Sequence, residues 1–198
     1  IVGKFRGLKM QSADGKSIGF EPKRGFSLLS CIEQGYYAHP SKRLVICMHE
    51  SLSYVDAFYA ANALAWYFQA AHGVVPGATV ALSSPNVLFA PVVIAAVEAC
   101  GARLALFPAT LAKGDFSRLM SLVDPSLVIV AKEEHCRIVH ELNPDVGIMS
   151  IGCAGGGFAP SVEGIVEGFS AIAGARKPVD RSEKAEFVVF SSGSTGLP

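Results

Sequence analysis

The chain has 198 residues, of which 51% are hydrophobic, and its 17 basic and 17 acidic side chains balance to zero net charge. This balance excludes bulk electrostatic attraction to duplex nucleic acid or to an anionic membrane surface. A mean hydropathy of +0.39 supports a substantial core, because a chain of this length buries about 70% of its unfolded surface. The length therefore predicts one domain, or one domain and part of a second.

The first 24 residues are polar and show no periodicity, so we expect a loose lead-in over residues 1–24 and a folded unit over residues 25–198. The chain opens without the apolar segment of a signal peptide. Its five cysteines are scattered and contain no CxxC pair, which favours a reduced, cytoplasmic protein. The longest apolar stretch, residues 87–97, is too short for a transmembrane segment and predicts a buried helix.

Apolar spacing predicts a short amphipathic helix over residues 26–36, which ends before Pro40. The stretch "RLVICMHESLSY" predicts a small β-hairpin near the N-terminus, with its turn at His49-Glu50. Ser53 precedes Asp56 by three residues, the pattern of a capping box. We therefore expect a second helix to start there and to end near Gly73.

Strands and helices then alternate to the end of the chain. The predicted strands are "ATVAL", "RLALF", "SLVIVA", "GIMSI" and "AEFVVFSS"; the predicted helices are residues 89–100, "GDFSRLMSLV" and "KEEHCRIVHEL". Pro91 fits the first turn of its helix, where its missing N–H costs nothing. The segments "GCAGGGFAPSVEG" and "AGARKPVDRSEKA" predict loops. This alternation predicts an α/β fold with a mainly parallel sheet flanked by helices on both faces.

The last strand runs into a loop of small and hydroxylated residues, "SSGSTGLP". In parallel sheets ligands gather at the carboxyl ends of the strands, so this loop lies where a ligand would bind. Its glycines allow backbone N–H groups to converge, and its hydroxyls add donors suited to a polyanion such as a triphosphate. The candidate binding residues are Ser191, Ser192, Gly193, Ser194, Thr195 and Gly196.

The terminal loop and three other patterns in the sequence have alternative interpretations. Composition alone also fits a surface linker for the terminal loop, and the spacing of its glycines excludes a Walker A motif. Cys136 and His140 lie one helical turn apart, but zinc needs three or four ligands and no others cluster nearby. The glycines of residues 152–157 depart from the dinucleotide-binding order, which favours a loop. Glu98 is expected to be a capped or snorkelling carboxylate in an apolar helix.

"FSSGSTGLP" resembles the phosphate-binding signature of the adenylate-forming enzymes, Y/F-T-S-G-T/S-T-G-x-P-K-G. Ser191 replaces the usual threonine and keeps its hydroxyl, and the lysine and last glycine would follow Pro198. Two upstream stretches are similar to other parts of the same family. They are "SLSYVDAFYAANALAWYF", which is similar to an "LTYxEL" helix start, and "GATVALSSPNVLFAPVVIAAVEACGARLALFPAT", which is similar to a "GDRVAILLPN…AxLKAGAxYVPL" region.

The resemblance implies an enzyme that activates a carboxylate with ATP and Mg²⁺ and passes the acyl group to a thiol of coenzyme A or phosphopantetheine. It implies that the loop residues named above, Ser191 to Gly196, cradle the β- and γ-phosphates. The remaining machinery, including catalytic and metal-binding residues, would be expected beyond Pro198. We therefore expect an N-terminal portion of a ligase that is inactive by itself.

The residues leave three functions open. An acyl-CoA synthetase or acyl-AMP ligase is favoured, with ATP and a small-molecule carboxylic acid as partners and an acyl carrier protein as a possible further one. An amino-acid adenylation domain of a peptide synthetase is the first alternative. A degenerate, non-catalytic nucleotide-binding module is the second.

Overall fold

The computed structural model describes residues 9–11, 17–19, 27–152, 159–170 and 186–190. The strands are β1 (Lys9–Gln11), β2 (Ser17–Gly19), β3 (Arg43–Cys47), β4 (Glu50–Ser53), β5 (Thr79–Ser83), β6 (Arg103–Phe107), β7 (Leu127–Val130), β8 (Gly147–Ser150) and β9 (Glu186–Val189). The helices are α1 (Leu28–Ala38), α2 (Tyr54–His72), α3 (Ala90–Ala99), α4 (Lys113–Val123), α5 (Glu133–Leu142) and α6 (Val162–Ser170).

The ends of α2 and α3 follow local sequence chemistry, as predicted. The Ser53 hydroxyl accepts from the Asp56 N–H while the Asp56 carboxylate accepts from the Ser53 N–H, which completes the capping box of α2. Gly73 ends α2 in the left-handed conformation, with φ +61°. Pro91 occupies the first turn of α3. These local signals therefore place the start of α3 and both ends of α2.

Two antiparallel hairpins precede the main sheet. β3 pairs with β4, and the turn falls at Met48-His49 rather than at His49-Glu50, since β4 already begins at Glu50. Met48 has φ +52°, a left-handed conformation that the sequence did not predict. β1 pairs with β2 inside residues 1–24, where no periodicity predicted regular structure. The division at residue 24 stays a prediction.

Five parallel strands form the main sheet, in the order β8-β7-β5-β6-β9. The predicted α/β class, with a mainly parallel sheet and a small N-terminal hairpin, is confirmed. Arg103 and Glu186 form an ion pair of 3.1 Å between β6 and β9. β9 lies at one margin, where Phe187 and Val189 are 46% and 53% exposed.

Alternate side chains of the sheet belong to two separate hydrophobic cores, because successive residues of a strand point to opposite faces of the sheet. Val80 and Leu82 of β5 join α1, α2, α3 and α6 in one core. Ala81 of the same strand joins α4 and α5 in the other. Helices therefore cover both faces, as the alternation of elements predicted.

Helix α6 was not predicted. Its glycines, Gly164 and Gly168, lower helix propensity, and the sequence predicts a loop that extends to residue 164, inside the first turn of α6. Val162 is nevertheless fully buried in the first core, and this tertiary contact outweighs weak local propensity. None of the helices within the described residues combines the length and the apolarity that crossing a membrane requires.

Candidate functional site

The carboxyl ends of all five parallel strands lie along one edge of the sheet. Ser83 of β5 is in register with Phe107 of β6 and with Val130 of β7. Val130 is in turn in register with Ser150 of β8. On the other side, Leu106 of β6 pairs with the last residue of β9. The loops that leave these strands therefore start side by side, and this edge is the candidate site.

The strand order creates a switch point between β5 and β7. Helix α3 leads from β5 to β6, whereas α5 leads from β7 to β8 in the opposite direction. In open parallel sheets such divergent connections leave a crevice in which ligands bind. The β5 side of this crevice continues into Ser84, Pro85 and the exposed Asn86.

The predicted phosphate-binding residues follow β9 directly. Ser191, Ser192, Gly193, Ser194, Thr195 and Gly196 lie outside the described residues, so their role stays a prediction. The last described residue before them is Phe190, whose ring contacts that of Phe107 at 5.6 Å between centroids. The structure thus describes the chain as far as Phe190, just after β9, which runs parallel to β6 and ends at the candidate edge.

His135 is a buried residue of this edge that the sequence analysis missed. It is 1% exposed, and its Nε2 lies 3.2 Å from the Leu111 carbonyl oxygen in the β6–α4 loop. Its Nδ1 lies 3.5 Å from Ser83 Oγ at the end of β5. The one available signal was its place, in the first turn of a helix that follows a fully apolar strand.

The pKa of His135 is lowered, chiefly because burial disfavours its charged form. The hydrogen bond to Leu111 opposes this shift, Lys132 adds to it, and Glu134 opposes it. A neutral imidazole also satisfies both contacts. A carbonyl oxygen only accepts, so Nε2 carries the proton and Nδ1 is an acceptor that faces the Ser83 hydroxyl. The single proton of that hydroxyl is shared between Nδ1 and the Pro108 carbonyl oxygen, which also lies 3.5 Å away.

The N-terminal hairpin flanks the same edge. Cys47, the last residue of β3, places its Sγ 3.7 Å from the carbonyl oxygen of Asn86. The neighbouring Ile46 and Met48 are largely exposed. The β3–β4 hairpin therefore lies beside the loop that follows β5.

Glu98 lies at the opposite edge, near the end of α3 and the start of β6. Its Oε2 accepts from the Leu29 N–H at 2.8 Å and its Oε1 from the Leu28 N–H at 3.3 Å. The expectation of a capped carboxylate is confirmed. Burial raises the pKa of Glu98 more than these hydrogen bonds lower it.

The two other sequence candidates are not assembled as sites by the described residues. Cys136 is buried in the second core while His140 is exposed, so the pair does not face one solvent-accessible point. Gly152 follows β8 with φ +65° and donates its N–H to Glu163 Oε1 at 2.8 Å. The remaining glycines of that segment lie outside the described residues.

The switch point and the covered parallel sheet define an α/β protein of the class that binds ligands at the carboxyl ends of its strands. A family model described as AMP-binding enzyme matches residues 32–198. The chain therefore belongs to the AMP-binding enzyme family, within the adenylate-forming superfamily. The resemblance noted in the sequence is confirmed.

Several solved structures share this fold. VinN in complex with 3-methylaspartate is 16% identical at a TM-score of 0.71 over 88% of this chain and 46% of that chain. A putative long-chain-fatty-acid CoA ligase from Rhodopseudomonas palustris CGA009 is 21% identical at a TM-score of 0.65, over 84% of this chain and 41% of that one. A benzoate CoA ligase from Burkholderia xenovorans LB400 is 17% identical at a TM-score of 0.61, over 79% and 30%.

The chain thus spans less than half the length of each of these structures. At such identities the likeness concerns the fold alone. Among curated proteins, none matches the sequence.

Proposed function

We propose that the chain is the N-terminal part of an ATP-dependent carboxylate–AMP ligase, an acyl-CoA synthetase or acyl-AMP ligase. One observation carries this proposal. The family match runs through residue 198 and so includes the hydroxyl-rich signature, which in sequence comes after β9, a strand whose carboxyl end lies at the candidate edge.

In the proposed reaction a carboxylate oxygen attacks the α-phosphorus of ATP. The bond from that phosphorus to its bridging oxygen breaks, and pyrophosphate leaves with the electron pair. A thiolate then attacks the acyl carbon, and AMP leaves. The hydroxyls of Ser194 and Thr195 and the N–H groups beside Gly193 and Gly196 would stabilise the charge that grows on the departing pyrophosphate.

ATP would arrive with Mg²⁺, which prefers carboxylate and phosphate oxygens. Across the ranges that the structure describes, no three His, Cys, Asp or Glu side chains come together.

The acyl acceptor is proposed to be coenzyme A or a phosphopantetheine arm, and the compartment the cytoplasm. The four cysteines among the described residues form no disulfide bond with one another, which is consistent with a reducing compartment. The first alternative, an amino-acid adenylation domain, is favoured by the VinN complexes with L-aspartate and 3-methylaspartate. An adenylation assay of a longer form of the protein, with fatty, aromatic and amino acids as substrates, distinguishes the acyl ligase from the amino-acid adenylation domain.

The 198-residue chain is proposed to be inactive alone, so ATP–pyrophosphate exchange should stay at background. Robust exchange would refute this. In a longer active form, Thr195→Ala should lower turnover by about tenfold or more, because a donor to the phosphates is lost. Unchanged turnover would mean that phosphate binds elsewhere and would favour the degenerate module.

A further inference from the structure

All five tyrosines of the chain lie in two neighbouring helices, α1 and α2. They are Tyr36 and Tyr37 of α1 and Tyr54, Tyr59 and Tyr67 of α2. Gly35 lets the two helices approach closely, because a Cβ at that position would overlap the ring of Tyr54. Tyrosines of the two helices therefore meet across a close helix–helix contact.

Tyr36 lies at the centre of this contact. Its ring stacks on that of Phe58 at 4.3 Å between centroids, with an interplanar angle of 9°. Phe58 is a buried residue of the first core, so it gives the Tyr36 ring a fixed support. Tyr37 and Tyr59 contact Tyr36 edge to face, at 5.1 Å and 5.9 Å between centroids. Tyr36 is thus held between a buried ring and two other tyrosines.

The hydroxyls of Tyr36 and Tyr59 form a hydrogen bond between the two helices, with 3.3 Å between their oxygens. This hydrogen bond is the largest cause that raises the pKa of Tyr36, so its phenol keeps its proton at neutral pH. In each ring the Cε carbons are bonded to the carbon that bears the hydroxyl. The hydrogen bond therefore also brings a Cε carbon of one ring close to a Cε carbon of the other.

Two phenols held in this way can couple when each loses one electron and one proton. The unpaired electron of the resulting phenoxyl radical is shared between its oxygen and its Cε carbons. Two such radicals join through a Cε–Cε bond, and each joined carbon then loses its hydrogen as a proton while the oxygen gains one. The net change is the loss of one hydrogen atom from each ring, and one molecule of hydrogen peroxide accepts both as it is reduced to water.

The cluster is also accessible to an oxidant. Tyr37 is 76% exposed and Tyr59 is 36% exposed, whereas the Phe58 ring below them is buried. Tyr36 can pass an electron to an oxidised Tyr37, because their rings are in contact and carry the same phenol group. Oxidation that begins at the most exposed tyrosine thus reaches the hydrogen-bonded pair.

We propose that Tyr36 and Tyr59 form an oxidative modification site, at which a haem peroxidase with hydrogen peroxide joins α1 to α2 through a dityrosine bond. The site is independent of the proposed ligase activity. Such a bond fastens the two helices by restricting the unfolded chain, as a disulfide does.

The test treats the wild-type chain and four variants with a haem peroxidase and hydrogen peroxide at low protein concentration. The variants are Tyr36→Phe, Tyr37→Phe, Tyr59→Phe and, as the matched control on α2, Tyr67→Phe, whose tyrosine contacts His72 instead. Each substitution keeps the aromatic ring and so keeps the packing of the helices. Trypsin cuts at Lys42 and Arg43, between Tyr36 and Tyr59, so mass spectrometry detects the bond as two linked peptides.

We expect the Tyr36–Tyr59 bond to be the main product in wild type, Tyr37→Phe and Tyr67→Phe. It should be lost in Tyr36→Phe and in Tyr59→Phe, because phenylalanine has no phenol to oxidise. Retention of the bond in Tyr36→Phe together with its loss in Tyr37→Phe would identify Tyr37 as the partner of Tyr59 and would overturn the proposal.

The same reaction in urea separates the effect of the fold from that of composition. Once the chain is unfolded, the preference for Tyr36 and Tyr59 over the other tyrosine pairs should disappear. An equal preference in urea would mean that the hydrogen-bonded geometry is not responsible, and would overturn the proposal. Cross-links formed only between separate molecules, through the exposed Tyr37, would overturn it as well.

Discussion

Glu98 Oε2 accepts a hydrogen bond of 2.8 Å from the backbone N–H of Leu29, so a carboxylate of α3 caps the start of α1 across 69 positions of sequence. Ser27 caps the same helix end locally, through its hydroxyl and the Ser30 N–H. The start of α1 thus depends on a distant helix as well as on its own sequence.

The burial of this carboxylate predicts a pH dependence of stability. Burial raises the pKa of Glu98, so the folded chain holds this proton more strongly than the unfolded chain. The stabilising contribution is full below the ordinary glutamate pKa of about 4.3 and is lost as the pH rises through the folded value. As the pH rises from 4 to 7, the free energy of unfolding of wild type should therefore fall relative to that of Glu98→Gln. Urea unfolding of both proteins at the two pH values measures this change.

The control for that experiment is Glu167→Gln, which changes an exposed glutamate of α6. Its stability difference from wild type should stay nearly constant between the two pH values. Parallel behaviour of Glu98→Gln and Glu167→Gln would contradict the assigned role of the buried carboxylate.

The capping box of α2 predicts a local stability effect. Ser53→Ala removes the acceptor for the Asp56 N–H and should lower the free energy of unfolding by about 1 kcal/mol. Ser121→Ala, at an exposed position inside α4, should change it far less. Denaturant unfolding of both variants measures the difference, and equal values would argue against the cap.

Two glycines predict opposite signs for the same substitution. Gly73 has φ +61° with no atom within 4 Å of an added Cβ, so Gly73→Ala should cost about 1–2 kcal/mol through backbone strain alone. Gly114 lies in α4 with equally free space and no positive φ. Gly114→Ala should therefore stabilise by up to about 1 kcal/mol. Thermal unfolding of the two variants tests the contrast, which fails if both shift the midpoint the same way.

Cysteine accessibility gives a chemical test of the first core. Burial raises the pKa of Cys100 to about 12, and its Sγ faces the Ala65 carbonyl oxygen. The thiolate is the reactive form, so Cys100 should resist alkylation in the folded chain at pH 8. Cys47, which is partly exposed at the hairpin, should react first of the two. Mass spectrometry of timed iodoacetamide labelling measures the order, and equal rates would contradict the described burial.

Most of the fold was predictable because its signals are local. Ser53, Gly73 and Pro91 mark helix ends by backbone chemistry, and the apolar strands alternate with amphipathic helices. Helix α6 was missed because its stability comes from Val162 in the first core, a tertiary contact without local pattern. The turn of the β3–β4 hairpin was displaced by one residue because Met48 adopts a conformation that methionine seldom favours.

The candidate site was predictable only in part. Ser191 to Gly196 stand out in sequence because several small hydroxylated residues follow one another, and their role stays a prediction. His135 has no such neighbours, and its importance comes from Ser83, Leu111 and Phe116, which lie 52, 24 and 19 positions away in sequence. Only folding brings those groups to one ring.

The pairing of β9 with β6 has a consequence for how the chain reaches its native state. Arg103 can pair with Glu186 only after the 82 intervening residues have been synthesised. Strands β5, β6, β7 and β8, by contrast, all lie within residues 79–150. Closing such long loops is slow relative to local structure formation. A four-stranded core can thus assemble while the ribosome is still adding residues, and the strand that leads into the predicted phosphate loop joins it last.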